Sequence, residues 1–287
     1  MPLYTADGVD VYLNNRFLGN YLMTQAVGEG KEKVDIDITK NEFLFEYEPF
    51  VGYSNPNCIA TPTLGILLGF NEPEQPTAEQ FEWLNLFLAE AESALVSYDF
   101  ERIAEYFDID SFVDFYIVNE LFKDVDFSTS STRFYLKKGR LYAGPIWDMD
   151  LSSGNVSEEA GYYGEYWNSN TSGDSTESFY CRKIWYRELF GCQKFGELVR
   201  KRYAELQPQI VNLTTDNELG LNRIDRLIEK YGKSFAANYE KAGWSVSYVY
   251  GEFESRYPAK TYEGNVEYLR EWLIRRNAWL LHELGIS

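Results

Sequence analysis

The sequence predicts an α+β protein, in which a small antiparallel β part precedes a larger and mainly helical part. Two observations support this prediction: apolar residues alternate with polar ones through the first 50 residues, and they recur at helical spacing in most of the chain after residue 77. At 287 residues the chain is long enough to bury a substantial core. We therefore expect a β-rich domain over residues 1–50 and a mainly helical domain over residues 51–287.

The β part is expected to be one antiparallel meander. An Asn14-Asn15 turn separates the first two alternating runs, and the later runs are punctuated by glycines. Residues 51–76 contain several Pro and Gly, which predicts an irregular segment after the meander. The four predicted strands are Val9–Leu13, Phe17–Met23, Val34–Ile38 and Phe43–Tyr47.

The helical part begins with two strong helix signals. Thr77 and Gln80 form a capping box that opens a helix over Phe81–Tyr98. Asp110 or Ser111 is the expected N-cap of a second helix. Helical patterns return later, over Glu177–Phe190, Lys194–Leu213, Asn217–Lys241 and Glu263–Leu284.

A hairpin and a loop interrupt the helices. After the second helix the period changes, and Arg133–Lys137 and Arg140–Ile146 predict two short strands joined at Lys138-Gly139. Residues 151–176 are rich in Gly, Ser, Asn and Tyr, which predicts a long exposed loop. Its aromatic cluster at residues 162–167 is suited to stacking on sugars, although packing is the commoner use of such residues.

Composition excludes several classes of function. The net charge of −18 opposes binding to a nucleic-acid backbone and favours basic partners. A single histidine, His282, leaves little room for a histidine-based hydrolase or metal site. The three cysteines, Cys58, Cys181 and Cys192, form no CxxC pair, and no apolar run is long enough to predict membrane insertion. The first residues show no signal-peptide pattern.

Four aspartates at the ends of predicted elements carry the chemistry. Asp124 and Asp126 follow a helix, whereas Asp148 and Asp150 follow the hairpin, so the two pairs face each other if the hairpin folds back over the helix end. Carboxylates gathered without Lys or Arg repel one another, and such a cluster favours a bound cation. Their oxygen atoms suit Mg²⁺ or Mn²⁺, which in turn hold the phosphates of a nucleotide.

Taken alone, the Asp148-x-Asp150 pair has other interpretations. Most such pairs are solvated turn aspartates, and similar pairs occur in calcium loops and in metal-dependent glycosyltransferases. Trp147 and the apolar strand before it indicate a buried approach to the pair, which favours a metal site. A glycosyltransferase predicts alternating parallel strands and helices near the N-terminus, which the predicted meander opposes.

Several segments form a recognisable pattern, in order along nearly the whole chain: Val9–Asn14, Gly19–Leu22, Asn119–Leu121, the Asp126 region, Phe134–Leu136 and Trp147–Asp150. The Gly144–Asp148 run is the most specific part of the pattern. In these segments the chain resembles the CotH (spore coat protein H) family of atypical protein kinases.

The resemblance implies a divergent protein-kinase fold that transfers the γ-phosphoryl group of ATP to Ser or Thr. It implies that Asp126 is the catalytic aspartate and that Asp148 holds the metal, with Asp150 as a second ligand. Mg²⁺ or Mn²⁺, ATP and a basic Ser/Thr-containing protein substrate would then be the cofactors and partner. The resemblance also suggests a spore coat or a cell surface as the location.

Three departures from the family pattern suggest an alternative. No basic segment with paired lysines precedes Tyr4, so the small β lobe is expected to be N-terminally incomplete and to lack a phosphate-binding lysine. Gln25 stands where relatives often carry a glutamate, and Ser131 stands where kinases prefer an asparagine for the metal, leaving a weaker ligand. The alternative is therefore a non-catalytic member, a pseudokinase that binds a coat or surface partner.

Overall fold

The computed structural model describes residues 4–49, 57–124, 126–127, 130–155, 174–176, 183–241, 247–250, 253–256 and 261–286. Most of the loop predicted over residues 151–176, with its aromatic cluster, lies outside this part of the chain, as does the first half of the helix predicted over Glu177–Phe190. The described residues form a mixed α/β structure with small antiparallel sheets and eight α-helices.

Strands dominate the first 72 residues and return in two hairpins. The strands are β1 (Ala6–Leu13), β2 (Arg16–Thr24), β3 (Phe43–Tyr47), β4 (Cys58–Ala60), β5 (Leu67–Glu72), β6 (Arg133–Lys137), β7 (Arg140–Ala143), β8 (Ser247–Tyr250) and β9 (Phe253–Arg256). The helices are α1 (Ala78–Val96), α2 (Phe100–Tyr106), α3 (Ile109–Phe122), α4 (Tyr186–Leu189), α5 (Gln193–Glu205), α6 (Gln207–Val211), α7 (Arg223–Glu240) and α8 (Tyr262–Glu283).

A five-stranded antiparallel sheet in the order β4-β5-β3-β6-β7 is the centre of the fold. One face of it packs against the helices, because Phe45 and its cross-strand partner Phe134 belong to the same buried cluster as Leu88 of α1 and Phe112 of α3. Their neighbours Leu44 and Tyr135 point to the opposite face, as the alternation of a strand requires. The hairpin β6-β7 thereby becomes part of the core sheet and holds the residues that follow it.

The predicted single meander is wrong, because β1 and β2 form a two-stranded sheet of their own. The strand predicted over Val34–Ile38 is also absent. Val34 and Ile36 are buried against Leu44 and Tyr135, so their alternation is real, but Val34 makes only an isolated bridge to Glu29. The alternation of apolar and polar residues therefore indicates a buried face at this segment, but the segment does not form the hydrogen bonds of a strand.

The segment of residues 51–76, predicted to be irregular, contains β4 and β5. Gly69 lies within β5, where a side chain would collide with Glu48, since an added Cβ would lie 2.8 Å from the Glu48 Cγ atom. Gly69, one of the glycines that predicted an irregular segment, therefore lies inside a strand, at a position where another part of the chain packs closely.

The domain boundary at residue 50 stays a prediction. Strand β3 lies before it and pairs with β5 and β6, which lie after it. The five-stranded sheet thus combines strands from both predicted domains.

The predicted helices in the described part of the chain are confirmed as helices, but the sequence predicts their first and last residues less accurately. The capping box of Thr77 and Gln80 is present at the start of α1. Helix α3 begins two or three residues earlier than predicted, because the N-cap is Asp108, whose side chain accepts the Ser111 N–H, and not Asp110 or Ser111. None of the described helices carries an 18-residue stretch apolar enough to cross a membrane.

Two of the later helical predictions are wrong in part: one predicted helix is divided in two, and the other begins later than predicted. The helix predicted over Lys194–Leu213 is two helices, α5 and α6, which meet at Leu206, and a proline lies in the first turn of α6. The helix predicted over Asn217–Lys241 begins only at Arg223, where the Asn222 side chain caps it. Helix α8 agrees with the range predicted for it.

The hairpin β1-β2 lies against α7 through polar contacts. Lys230 on α7 forms an ion pair of 2.8 Å with Asp7, and the Ser234 hydroxyl donates to Asp10 at 3.0 Å. Gly8 faces Tyr231 so closely that an added Cβ would lie 3.2 Å from its ring. These contacts fix the first hairpin on the helical part of the chain.

Candidate metal and catalytic centre

The turn at the end of helix α3 positions Asp124 and Asp126. Lys123 ends the helix in the left-handed conformation, with φ of 49°, and its N–H donates to the carbonyls of the last turn. The chain then turns sharply, since the Phe127 N–H donates to the Asp124 carbonyl at 3.3 Å. The Lys123 ammonium is buried and donates to the carbonyl of Asp174 at 2.8 Å. This turn directs Asp126 back towards the residues after β7.

Three carboxylates meet there. Asp126, Asp148 and Asp150 each offer one oxygen atom, and these atoms all lie within 4.8 Å of one another. Asp126 is buried, whereas the other two side chains are exposed. The convergence that the hairpin was predicted to produce is therefore present, and we call these three residues the aspartate triad.

Asp124 lies beside the triad without joining it. Its side chain is buried, and its Oδ1 atom accepts the backbone N–H of Asp126 at 3.3 Å. Burial raises the pKa of Asp124 well above its usual range, and the charges of Asp126, Asp150 and Asp148 add to the effect. The Asp124 carboxylate thus contacts the backbone of Asp126 and is not one of the three carboxylates of the triad.

The triad is electrostatically strained without a cation. Burial raises the pKa of Asp126 to about 6, with repulsion from Asp150 and Asp148 adding to the effect and the Ser130 side chain opposing it by a hydrogen bond. Burial and the Asp148 charge also raise the pKa of Asp150. Among the described residues, no lysine or arginine forms an ion pair with the triad.

Ser131 reaches the same centre from the other side. Its hydroxyl donates to the Asp148 Oδ2 atom at 3.1 Å. Ser131 and Asp148 both have left-handed backbone, with φ of 50° and 59°. Such strain in non-glycine residues is concentrated at functional sites, where the surrounding structure holds it in place.

The segment after Asp150 is tied back to α3. The Asp150 carbonyl accepts the Asn155 side-chain amide at 2.7 Å, and the Ser153 N–H donates to the Phe122 carbonyl at 2.6 Å. The bond from Ser153 to Phe122 thus joins the two chain segments that carry the triad, independently of the carboxylates themselves.

Helix α8 supports the end of α3 through a buried ion pair. The Arg276 side chain is fully buried, and its Nη2 atom lies 2.7 Å from the Glu120 carboxylate. The same guanidinium donates to the carbonyls of Glu120 and Ser175. Arg276 therefore connects α8 with α3 close to the turn that carries Asp126.

The donor set of the triad fits a hard divalent cation. Carboxylate oxygens are the ligands that Mg²⁺ and Mn²⁺ prefer, and a cation would relieve the repulsion that raises the pKa of Asp126. The ligand roles of Asp148, Asp150 and Ser131 and the catalytic role of Asp126 stay predictions.

Sequence reasoning missed three charged residues near the centre, namely Lys123, Arg133 and Arg276. Each is mostly buried, and each lies among or next to apolar residues in the sequence. A cation in such a position is the available sequence signal, since buried charges require partners. The identity of the partners depends on tertiary contacts that local pattern does not encode.

Comparison with known protein families identifies the family of the chain. The model of the family described as CotH kinase protein matches residues 4–280, which is nearly the whole chain. No curated protein matches the chain. The aspartates of the triad lie within the matched region. Because the match covers nearly the whole chain, the chain belongs to the CotH kinase protein family.

Proposed function

We propose that the chain is an atypical Ser/Thr protein kinase, with a divergent protein-kinase-like fold, that transfers the γ-phosphoryl group of ATP to a protein hydroxyl. The observation that carries the proposal is the convergence of Asp126, Asp148 and Asp150 at the end of α3 in a member of the CotH kinase family. Phosphoryl transfer needs positioning and neutralisation of charge more than covalent chemistry, and it needs no histidine, which suits a chain that has only one.

Asp126 is proposed to orient the acceptor hydroxyl. Its raised pKa follows from burial and from its acidic neighbours, and these are conditions that a bound cation changes. With the pKa lowered, the carboxylate is ionised at neutral pH and can accept a hydrogen bond from a serine or threonine hydroxyl. The buried position keeps the carboxylate fixed while the substrate approaches.

Asp148 and Asp150 are proposed to hold Mg²⁺ or Mn²⁺, with Ser131 as a further, weaker ligand. The metal, when bound, neutralises charge on the nucleotide's phosphates. The exposure of Asp148 and Asp150 leaves their oxygen atoms open to a ligand that arrives from solvent.

The proposed substrate is a basic protein with Ser or Thr residues. The net charge of −18 attracts basic partners and repels nucleic acid. A spore coat or a cell surface as the location belongs to the same proposal, because it rests on the family alone.

Phosphate transfer to a lysine- and arginine-rich protein containing serine, with labelled ATP and Mn²⁺ or Mg²⁺, tests the proposal. We expect transfer by the wild-type chain and a loss of at least about 100-fold in Asp126→Asn. The matched control is Asp110→Asn, at an exposed aspartate in the first turn of α3. The proposal fails if the wild-type chain transfers no phosphate with either metal, or if Asp126→Asn is as active as the control.

A non-catalytic role in binding a coat or surface partner is the second candidate. Ser131 in place of asparagine favours it, since the Ser131 hydroxyl already donates to Asp148. Gln25 in place of glutamate favours it as well, because its neutral amide carries no charge to hold a phosphate-binding lysine. Binding of metal and nucleotide without transfer to any basic protein would distinguish this candidate from the first.

A further inference from the structure

Arg133 is a mostly buried arginine two residues after Ser131, on the segment that leads from α3 into the sheet. It is the first residue of β6, and its cross-strand partner is Glu46 on β3. The Arg133 Nη2 atom lies 2.7 Å from the Glu46 carboxylate, with side-chain exposures of only 12% and 17%. Both residues lie on the face of the sheet opposite to the helices, as strand alternation from Phe134 and Phe45 requires.

The ion pair leaves most of the guanidinium unused. The Nε and Nη1 atoms of Arg133 are shielded from solvent and have no hydrogen-bond partner in the described part of the chain. Buried donors are nearly always satisfied, so these two donors indicate a place for an acceptor beyond those that the described residues supply. Arginine has no acceptor atoms and stays charged, and the missing partner is therefore an oxygen or nitrogen acceptor, best an anionic one.

Arg133 is close to the triad along both segments that build it. Ser131, two residues before it, donates to Asp148. The guanidinium carbon lies 5.3 Å from the centre of the Trp147 ring, and Trp147 directly precedes Asp148. Arg133 is thus connected to the triad through Ser131 and Trp147, one on each of the two segments that build it.

The electrostatic surroundings support a functional cation. Burial raises the pKa of the Glu48 carboxyl, Glu46 adds to that effect, and the Arg133 charge opposes it. Arg133 thus faces two carboxylates, of which Glu46 holds it in place. Protein kinases use a similar ion pair, a lysine held by a glutamate, and that lysine contacts the phosphates of ATP.

We propose that Arg133, held by Glu46, is the cation that binds the phosphate chain of the nucleotide in this protein. The inference rests on the proposed function, because it assigns a phosphate-binding residue to the same site. The Glu46 carboxylate keeps Nη2, while Nε and Nη1 donate to phosphate oxygens. Trp147, which lies over the guanidinium, has to move when the phosphate arrives, since both free nitrogens are shielded from solvent.

Nucleotide binding by calorimetry tests the inference through Arg133→Met and Arg133→Lys. We expect Arg133→Met to weaken Mg²⁺–ATP binding by about 10- to 100-fold, the effect of losing a charge-assisted contact, and to leave adenosine binding unchanged. Arg133→Lys should recover part of the ATP affinity, since it restores the charge without the planar donor set. The matched control is Arg202→Met, which removes an arginine that is also ion-paired but lies on α5, against Asp110 and Asp114.

Trp147 provides a second readout. Tryptophan fluorescence should change when ATP binds to the wild-type chain, and that change should be absent in Trp147→Phe and strongly reduced in Arg133→Met. The inference is overturned if folded Arg133→Met keeps the ATP-to-adenosine affinity ratio of wild type, because Arg133 would then be structural only.

Failure of the inference is distinguishable from failure of the proposed function. If ATP binding needs metal and Asp148 but not Arg133, the inference alone fails. If the wild-type chain binds no nucleotide, the proposed function fails, and inorganic tripolyphosphate then decides whether Arg133 is an anion site. Tripolyphosphate binding that disappears in Arg133→Met supports the inference, and unchanged or absent binding overturns it.

Discussion

The hydroxyl of Ser131 donates a hydrogen bond of 3.1 Å to the Asp148 carboxylate, and both residues have left-handed backbone conformations. A donor at that distance fixes the orientation of the carboxylate even without a metal. The loop after α3 and the segment after β7 are thus connected by side chains as well as by the sheet. This contact joins the two halves of the candidate centre.

Ser131→Ala should therefore weaken Mn²⁺ binding. We expect a loss of about tenfold in affinity, typical of removing a group that orients or weakly ligates a metal. Calorimetric titration of Mn²⁺ measures it, with Ser97→Ala as the control, a serine whose hydroxyl donates to the Ala94 carbonyl at the end of α1. Equal affinity in both variants would show that Ser131 has no part in the metal site.

The stability of the metal-free protein should depend on the ionisation of Asp126. Its folded pKa of about 6 lies above the usual unfolded value of about 3.9, so the folded state binds the proton more tightly. Stability is therefore greater below the unfolded pKa and is lost as the pH rises from about 4 to about 6, by roughly 3 kcal/mol at most. Denaturant unfolding across this range, with a chelator present, measures the slope.

Asp126→Asn removes this titration and is the comparison that isolates it. The difference in unfolding free energy between wild type and variant should change with pH within that window and stay constant above it. A difference that is flat from pH 4 to pH 7 would contradict the burial and repulsion assigned to Asp126.

Asp150→Asn should stabilise the metal-free protein while weakening its metal binding. The substitution removes one of the charges that repel Asp126, and because Asp150 is exposed, screening by solvent limits the gain to about 1 kcal/mol or less. Mn²⁺ should raise the thermal midpoint of wild type more than that of the variant. Thermal unfolding with and without Mn²⁺ measures both effects, and an equal Mn²⁺ shift in the two proteins would exclude Asp150 as a ligand.

Arg276→Met should destabilise the fold by about 3–5 kcal/mol, because it leaves the Glu120 carboxylate buried without its cation. The double variant with Glu120→Met removes both charges, and it should be more stable than Arg276→Met alone. Urea unfolding of the wild type, of Arg276→Met and of the double variant measures the stability of each protein. If the double variant is the least stable of the three, the buried charge of Glu120 is not the source of the loss.

Local chemistry in the sequence predicted several features of the fold. The capping box of Thr77 and Gln80 and the turns at Asn14-Asn15 and Lys138-Gly139 depend on a few adjacent residues, and all are present. The approach of Asp126 to Asp148 and Asp150 followed from their places at the ends of a helix and a hairpin.

Features that depend on distant partners were missed. Whether Val34–Ile38 forms a strand depends on a neighbour able to pair with it, and β3 pairs instead with β5 and β6. Strand β5 contains a glycine because Glu48 lies against that position. Arg133 is notable only because Glu46, 87 residues away, takes one of its nitrogens and leaves two unused.

Calorimetric titration of ATP with Mg²⁺ or Mn²⁺ into the wild-type chain and into Asp148→Ala tests the central claim most directly. The account predicts nucleotide binding that requires metal, persists in Asp110→Asn and disappears in Asp148→Ala. Absence of binding in the wild-type chain, or equal binding in Asp148→Ala, would contradict the assignment of the aspartate triad as the metal–nucleotide centre.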